Sequence, residues 1–281
     1  MNGTIQQVSE ADYHADPALV PSLSNSIAKT IIQQSPYHAW LEHPKLNPKY
    51  QHRDSGTFDI GTAAHALLLE GNQAKIAIIE ADDWRTKAAR EAREEARSNG
   101  LTPILAKHNA AVNRMVDAAK SFIETTELRG IFQDGAPEQT LIWQEDDVYM
   151  RSRLDWLTAD RRLILDYKSS ASAEPRWFSR QIANMGYDMQ AAFYLRGLAA
   201  CGHPNAQFVF LAQEVEPPHA CSLHAIAPSM YEIAQAKVQQ AINIWRQCMK
   251  SGEWPAYNNQ IHWAEATAWQ MAQMEELMEA A

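Results

Sequence analysis

The sequence predicts an α/β fold in which helices flank a central mixed β-sheet. Three observations support this prediction. Helical patterns fill most of the first 130 residues, three strand patterns follow between residues 138 and 168, and a long helix, two strands and a closing helix complete the chain. Elements in this order pack as helices around a sheet.

The chain is long enough to bury a full hydrophobic core in one domain. It has 281 residues, of which 46% are hydrophobic and 21% are charged, values that are ordinary for a globular protein. We predict a single domain, residues 1–281, with the following parts: an N-terminal arm with little regular pattern (1–20), a helical part (21–130), a core (136–250) and a C-terminal tail (251–281).

Charge and cysteine usage exclude several classes of protein. The formal net charge of -9 argues against a protein that coats nucleic acid through bulk charge, although basic residues can still line one channel of an enzyme. The three cysteines are far apart and form no CxxC motif, so a zinc site, an iron–sulfur site and a disulfide scaffold are not expected. We expect a protein of a reducing cytoplasm, with no signal peptide and no membrane-spanning segment.

The helical part carries clear start signals. Ser24 is a good N-cap for a helix that begins within Ser22–Ser26, and Pro36 after Ser35 fits the first position of the next helix. The charged segment near residue 90 is typical of a solvated, ion-paired helix face rather than a DNA-contacting stripe. The remaining predictions for this part are a helix over Thr57–Glu70, a short strand or helix end over Ala74–Glu80, a helix over Asp82–Arg97 and a helix over Pro103–Glu124.

His65 lies within the predicted helix Thr57–Glu70, among small and apolar residues. A lone histidine in such a position is usually a hydrogen-bonded core residue. A carboxylate metal site elsewhere in the chain would make a ligand role the better interpretation.

The second half of the chain reads as strands followed by an alternation of helix and strand. The segment Thr158–Arg161 has the composition of a hairpin turn. The predicted elements are strands over Glu138–Trp143, Val148–Leu157 and Arg162–Lys168, a long helix over Glu174–Ala200, strands over Ala206–Ala212 and Ser222–Ala227, and a helix over Pro228–Lys250.

Two acids and a lysine are expected to meet on the hairpin. Side chains alternate faces along a strand, so Asp166 and Lys168 point the same way and Tyr167 points to the other face. Asp155, near the end of the partner strand, can reach the same place. Two carboxylates suit a hard divalent cation such as Mg²⁺ or Mn²⁺, and a lysine beside the metal can orient or deprotonate a water for phosphodiester hydrolysis.

A surface salt bridge is the usual explanation for an Asp-x-Lys pattern on a hairpin. Four further residues favour a site in this case. Glu138 precedes the first strand, His65 lies in the small-residue helix, and Gln190 and Tyr194 are four residues apart and share one face of the long helix.

The order of these motifs resembles the PD-(D/E)xK nucleases, and in particular the RecE-type phage recombination exonucleases, which are related to lambda exonuclease. The resemblance covers roughly residues 12–260, and Asp166 stands where many relatives have Glu. The motifs that carry it are Gly61-x-x-x-His65, Glu138 at a strand start, Arg153-Leu-Asp155, Asp166-Tyr-Lys168-Ser, Gln190-x-x-x-Tyr194, Leu23-Ser-Asn-Ser, Ser35-Pro-x-His-Ala-Trp40 and Trp254-Pro-Ala-Tyr257.

This resemblance implies a restriction-endonuclease-like core and an Mg²⁺-dependent 5′→3′ exonuclease that acts on double-stranded DNA ends. Such enzymes release mononucleotides and leave a 3′ overhang for a single-strand annealing protein. They form ring-shaped homo-oligomers, and we favour a trimer over a tetramer. The implied location is the cytoplasm of a bacterial host, with the gene carried by a phage or prophage.

The resemblance also implies roles for individual residues. Asp155 and Asp166 bind the metal together with the main-chain carbonyl of Tyr167, His65 holds a second ion, and Lys168 positions or activates the attacking water. The supporting roles are Glu138 for the metal shell or Lys168, Gln190 and Tyr194 for Lys168 or the DNA strand, and Arg153, Ser24 and Ser26 for the terminal 5′-phosphate. For the two serines, a simple helix cap is an equally good interpretation.

Two alternatives stay open. One is a RecB-like or Cas4-like nuclease of different polarity, which the lack of an iron–sulfur cysteine set makes less suitable. The other is a DNA-end-binding protein on a decayed nuclease fold, against which the intact acid–acid–lysine set argues.

Overall fold

The computed structural model describes residues 3–51, 59–71 and 75–279. The strands are β1 (Gly3–Gln7), β2 (Leu23–Ser24), β3 (Ile76–Ile79), β4 (Thr102–Leu105), β5 (Gly135–Glu145), β6 (Val148–Thr158), β7 (Leu163–Ser170), β8 (Gln207–Glu214) and β9 (Cys221–Ala225). The α-helices are α1 (Glu10–His14), α2 (Asn25–Gln33), α3 (Pro36–Leu41), α4 (Asp59–His65), α5 (Lys87–Ser98), α6 (Ala106–Ile123), α7 (Pro175–Asn184), α8 (Tyr187–Ala200), α9 (Pro228–Ser251) and α10 (Ala268–Glu279).

The main sheet is mixed, which confirms the predicted fold class. Its order is β1-β5-β6-β7-β8-β9, and β2 adds to β6. The β7–β8 and β2–β6 pairs are parallel, whereas the other neighbours are antiparallel. The parallel β7–β8 pair requires a crossover, and α7 and α8 supply it.

Helices cover both faces of the sheet, and each face has its own apolar cluster. On one face α2, α8 and α9 pack against β8, with Phe193 and Phe210 fully buried. On the other face α4 and α6 pack against Tyr167 and Leu211. The small-residue helix α4 approaches β7 closely, because a Cβ atom at Gly61 would lie 2.9 Å from the Cβ of Ser169.

The start signals of the helical part are confirmed. Ser24 caps α2 by accepting a hydrogen bond from the Ile27 N–H, and Pro36 opens α3 after the Ser35 cap. The predicted helix Thr57–Glu70 is α-helical over Asp59–His65 and π-helical over Ala66–Glu70, while residues 57 and 58 lie outside the described part of the chain. Of the predicted segment 74–80, residue 74 also lies outside it, and Ile76–Ile79 is the strand β3.

The prediction of an irregular N-terminal arm was wrong. Residues 3–7 form β1 and pair with residues 139–143 of β5. β1 is only five residues long and has one large apolar residue, Ile5, which packs against the core cluster, so its sequence shows no apolar alternation.

Two predicted helices differ from the structure. The segment 174–200 is not one helix, because it breaks between α7 and α8 at Gly186, whose φ is +67°. The helix predicted from Pro103 begins at Ala106, since residues 102–105 pair in parallel with β3.

Candidate active site

The candidate site lies where β6 changes its partner strand. β5 borders β6 along one edge over nearly its whole length. Along the other edge, β7 pairs only at Trp156 and Leu157, and β2 pairs only at Met150 and Arg151. A gap therefore opens beside residues 152–155 of β6, and α2 begins directly after β2 at this gap.

Three carboxylates form one row across the strands at this gap. The β5–β6 register places Glu138 opposite Asp155, and the β6–β7 register places Asp166 opposite Asp155, one step beyond the last ladder pair. Directly opposite side chains of antiparallel strands lie about 5 Å apart, where like charges destabilise a sheet. Such a row is costly for folding alone and points to a role in binding or catalysis.

Asp155 replaces part of the missing β6–β7 ladder. Its Oδ2 accepts a hydrogen bond from the Tyr167 N–H at 2.9 Å and lies 3.2 Å from the Nε2 of His65. His65, at the end of α4, thus comes from one helical layer to the gap. The predicted meeting of His65 with the hairpin acids is observed.

Asp166 is fully buried and engages two partners. Its Oδ1 forms an ion pair with the Lys168 ammonium, and its Oδ2 accepts a hydrogen bond from the Gln190 amide at 2.6 Å. Lys168 also lies over the ring of Tyr187, with 5.1 Å between its Nζ and the ring centroid. Buried Tyr194 is joined to Gln190 by a side-chain hydrogen bond, so both predicted helix residues support this corner.

Glu138 sits in a left-handed backbone conformation, with φ at +56°. A non-glycine residue there is strained, and such strain is concentrated at functional sites. One Glu138 oxygen forms an ion pair with Arg153, and the other lies 3.9 Å from the Nδ1 of His65. Tyr13 covers this pair, with its ring 5.9 Å from the Arg153 guanidinium carbon.

Burial and like charges shift the ionisation of the row. Burial and then the Asp155 charge raise the pKa of Asp166, whereas the neighbouring His65 and Lys168 hold the pKa of Asp155 below its usual value despite burial. Burial raises the pKa of Glu138 to about 7. Burial opposes protonation of His65, but Asp155 and Glu138 raise its pKa to about 9.

The donor set fits a divalent cation. Asp155 and Asp166 are hard oxygen donors, and the repulsion between them is what a cation would remove. Within the described residues, no three His, Cys, Asp or Glu side chains are grouped to hold a metal ion on their own. Mg²⁺ does not need such a cage, because it keeps waters and binds through one or two carboxylates and substrate phosphates.

Three predicted binding residues already have protein partners. Arg153 is 13% exposed and paired with Glu138, and Ser24 is a buried helix cap. The hydroxyl of exposed Ser26 lies 2.9 Å from the hydroxyl of Ser24.

The Tyr167 side chain points to the other face, as predicted, where its hydroxyl donates to the side-chain carbonyl of Gln213 at 2.6 Å.

Sequence reasoning missed Tyr13, Lys29 and Tyr187 at this site. Tyr13 comes from the supposed arm, and Lys29 is electrostatically coupled to Lys168. Only the Gly186-Tyr187 step carried a local signal, since a glycine inside a helical pattern can mark a break.

Comparison with known proteins gives the family and the fold. The sequence matches the family described as "PDDEXK-like domain of unknown function" over residues 24–267. The crystal structure of a "Putative exonuclease" from Eubacterium rectale is similar, with a TM-score of 0.62, 13% identity, and coverage of 95% of this chain and 98% of that one. An alkaline exonuclease from Laribacter hongkongensis also matches, at 14% identity over 68% of this chain and 98% of that one, with a TM-score of 0.28.

One further comparison and a search for membrane-spanning helices found nothing. No curated protein matches the sequence. In the described part of the chain, no helix combines the length and the apolar character needed to cross a bilayer.

Proposed function

Because the chain belongs to the PDDEXK-like domain family, we propose that it is an Mg²⁺-dependent exonuclease that degrades double-stranded DNA from its 5′ ends and leaves 3′ single-stranded overhangs. Mn²⁺ is expected to substitute for Mg²⁺. The observation that carries the proposal is the convergence of Asp155, Asp166 and Lys168 at the gap between β6 and β7.

The proposed metal ligands are Asp155, Asp166 and the main-chain carbonyl of Tyr167, with His65 beside a second ion. A bound divalent cation supplies charge for the scissile phosphate and for the attacking water. The Nε2 of His65 lies 3.2 Å from the Oδ2 of Asp155, so the two side chains are placed beside the same proposed cation site.

Lys168 is proposed to position or activate the attacking water. Its ammonium is held from two directions, by the Asp166 carboxylate and by the Tyr187 ring, and is partly exposed at 19%. Gln190 donates to the other oxygen of Asp166 and so helps to hold the carboxylate that pairs with Lys168. Prepositioned charges of this kind commonly contribute a few kcal/mol each to lowering the barrier.

Recognition of the terminal 5′-phosphate is proposed for Arg153, with Ser24 and Ser26 at the start of α2. The support is position, because all three flank the gap. Arg153 would exchange Glu138 for phosphate oxygens, which a planar guanidinium binds in two-point fashion. Glu138 is proposed to hold Arg153 and His65 in place until substrate arrives.

The experiment is cleavage of linear duplex DNA labelled at either the 5′ or the 3′ end, in Mg²⁺ and in EDTA. We expect metal-dependent release of mononucleotides from the 5′-labelled end first. Loss of the 3′ label first would replace the proposal by a nuclease of opposite polarity. Binding to DNA ends without release of nucleotides in Mg²⁺ would leave a non-catalytic end-binding protein.

A second arm compares 5′-phosphorylated with 5′-hydroxyl duplexes. Wild-type protein should prefer the phosphorylated end, and Arg153→Ala should lose that preference. Equal rates on the two ends with wild-type protein would remove the terminal-phosphate role of Arg153.

The proposed assembly is a ring-shaped homo-oligomer, preferably a trimer, that threads DNA and hands the 3′ strand to an annealing protein. Topological enclosure suits a chain with a net charge of -9, which cannot hold DNA by bulk attraction. Size-exclusion chromatography with light scattering gives the subunit number directly, and a monomer at assay concentration would contradict the ring.

A further inference from the structure

Lys29, on α2, lies next to the candidate site and has no assigned role. Its ammonium donates a hydrogen bond to the main-chain carbonyl of Met185 at 3.2 Å. Gly186 and Tyr187 follow Met185 directly, and Tyr187 is the residue whose ring lies under Lys168. Three consecutive residues therefore bring two lysines from distant parts of the chain to the same place.

The break between α7 and α8 is shaped around Lys29. A Cβ atom at Gly186 would lie 2.7 Å from the Cδ of Lys29, and the φ of Gly186 is +67°. Only glycine meets both demands without strain. The Lys29 side chain packs against Gly186, and the hydrogen bond to the Met185 carbonyl holds its ammonium beside the site.

The charge of Lys29 is poorly balanced within the protein. No carboxylate among the described residues forms an ion pair with it, and Lys168 repels it. The acid that attracts it electrostatically, Glu42, is already hydrogen bonded to the Thr30 hydroxyl at 2.8 Å. Two ammonium groups that repel each other, one of them without a direct ion pair among the described residues, make a place where an anion gains energy on binding.

We propose that Lys29 binds a backbone phosphate of the nucleic-acid strand that lies in the site beside Lys168. The inference rests on the proposed function and adds a substrate-binding residue to it. Lys29 lies on the first turns of α2, three residues after the exposed Ser26, and residues spaced by three share a helix face. The strand would thus run from Lys168 along the start of α2.

The test compares K29Q with wild-type protein and with a matched control. Glutamine keeps a donor for the Met185 carbonyl but removes the charge. Lys107 is the control, since its ammonium also donates to a main-chain carbonyl, that of Asp82, and α6 packs on the opposite face of the sheet. Binding of a fluorescent duplex in EDTA is measured at several salt concentrations, and kcat and KM are measured in Mg²⁺.

We expect K29Q to bind DNA about tenfold more weakly, to lower the slope of log Kd against log salt by about one, and to raise KM with kcat nearly unchanged. K29R should keep the wild-type slope of log Kd against log salt, because arginine keeps the positive charge. K107Q should behave as wild type in every measurement.

A structural role would give a different pattern, in which K29Q lowers the melting temperature but leaves the salt slope and KM as they are, and this result would overturn the inference.

K29M, which removes the charge without adding a polar group at the helix break, guards against a misfolded K29Q and should show the same loss of slope. If wild-type protein neither binds nor cuts DNA, the proposed function fails together with this inference. If wild-type protein cuts and both charge-removing variants match it, the inference alone fails.

Discussion

Two buried clusters of charged residues differ in the groups that surround their carboxylates. In one, Asp16 is 3% exposed and accepts hydrogen bonds from the Ser22 N–H at 2.8 Å and the Ser22 hydroxyl at 2.6 Å. His43 at 3.4 Å and the guanidinium of Arg151 at 3.3 Å complete its surroundings. In the other, Asp166 is equally buried but lies opposite a second carboxylate, Asp155.

The opposite pKa shifts express this difference. Burial alone would raise the pKa of Asp16, but His43, Arg151 and Ser22 together lower it below the usual value. Burial and Asp155 both raise the pKa of Asp166. A buried acid surrounded by hydrogen-bond donors stabilises the fold, whereas a buried acid opposite another acid does not and indicates a role in binding or catalysis.

The largest expected effect is the loss of cleavage in D166N and in Lys168→Ala. Each change removes a group that is proposed to touch the metal or the attacking water, and we expect kcat to fall about a thousandfold or more, equivalent to roughly 4 kcal/mol. Cleavage of labelled duplex in Mg²⁺ measures this loss. Near-normal cleavage by either variant would move the active site elsewhere.

The two clusters should differ most clearly in how a charge-removing substitution changes the unfolding free energy. D16N leaves Arg151 buried without its counter-charge, and we expect it to lose about 3 kcal/mol of unfolding free energy. D166N removes a charge that burial and Asp155 disfavour, and Lys168 keeps Asp155 as a second counter-charge, so the unfolding free energy of D166N in EDTA should stay within about 1 kcal/mol of wild type. Urea unfolding of both variants gives the two values, and equal losses would show that the clusters do not differ as we describe.

The pH dependence tests the Asp16 cluster further. Its folded pKa is lowered, so the unfolded state takes up a proton first as pH falls. The stability that Asp16 contributes is therefore fully present above its ordinary pKa of about 4 and is lost as pH drops through the folded pKa. The difference in unfolding free energy between wild type and D16N should become smaller below about pH 4. A difference that does not change with pH would contradict the stabilising role assigned to ionised Asp16.

The smallest expected effect concerns the face behind the site. Y167F removes the hydroxyl that donates to Gln213, whose own amide donates to the Met115 carbonyl at 2.8 Å. We expect a loss of about 1–2 kcal/mol of unfolding free energy, because a buried acceptor is left unpaired. Cleavage should persist, since the hydroxyl lies on the face of the sheet opposite Lys168, and thermal unfolding together with a cleavage assay checks both points.

The sequence was informative where local chemistry decides the structure. The cap at Ser24 and the proline at residue 36 depend on their immediate neighbours, and the faces of Asp166 and Tyr167 follow from strand alternation. These features could be predicted correctly. The meeting of Asp155 with Asp166 also follows from the hairpin register.

Features that depend on distant partners could not be predicted. Asp16 lies in a segment with the composition of a turn, and only the fold places it against Arg151. Tyr13 and Lys29 carry no local sign that they reach the site. The break at Gly186 was missed because a single glycine within an apolar helical pattern costs only about 1 kcal/mol and is often tolerated.

The brief pairing of β6 with β7 has a mechanical consequence. Asp155 belongs to a half-sheet held by β5, and Asp166 belongs to a half-sheet held by β8. The ladder joins the two halves only through Trp156 with Leu165 and Leu157 with Ile164. These pairs lie next to the carboxylates, so a change in the angle between the two half-sheets would change the separation of Asp155 and Asp166, and with it the width of the proposed cation site.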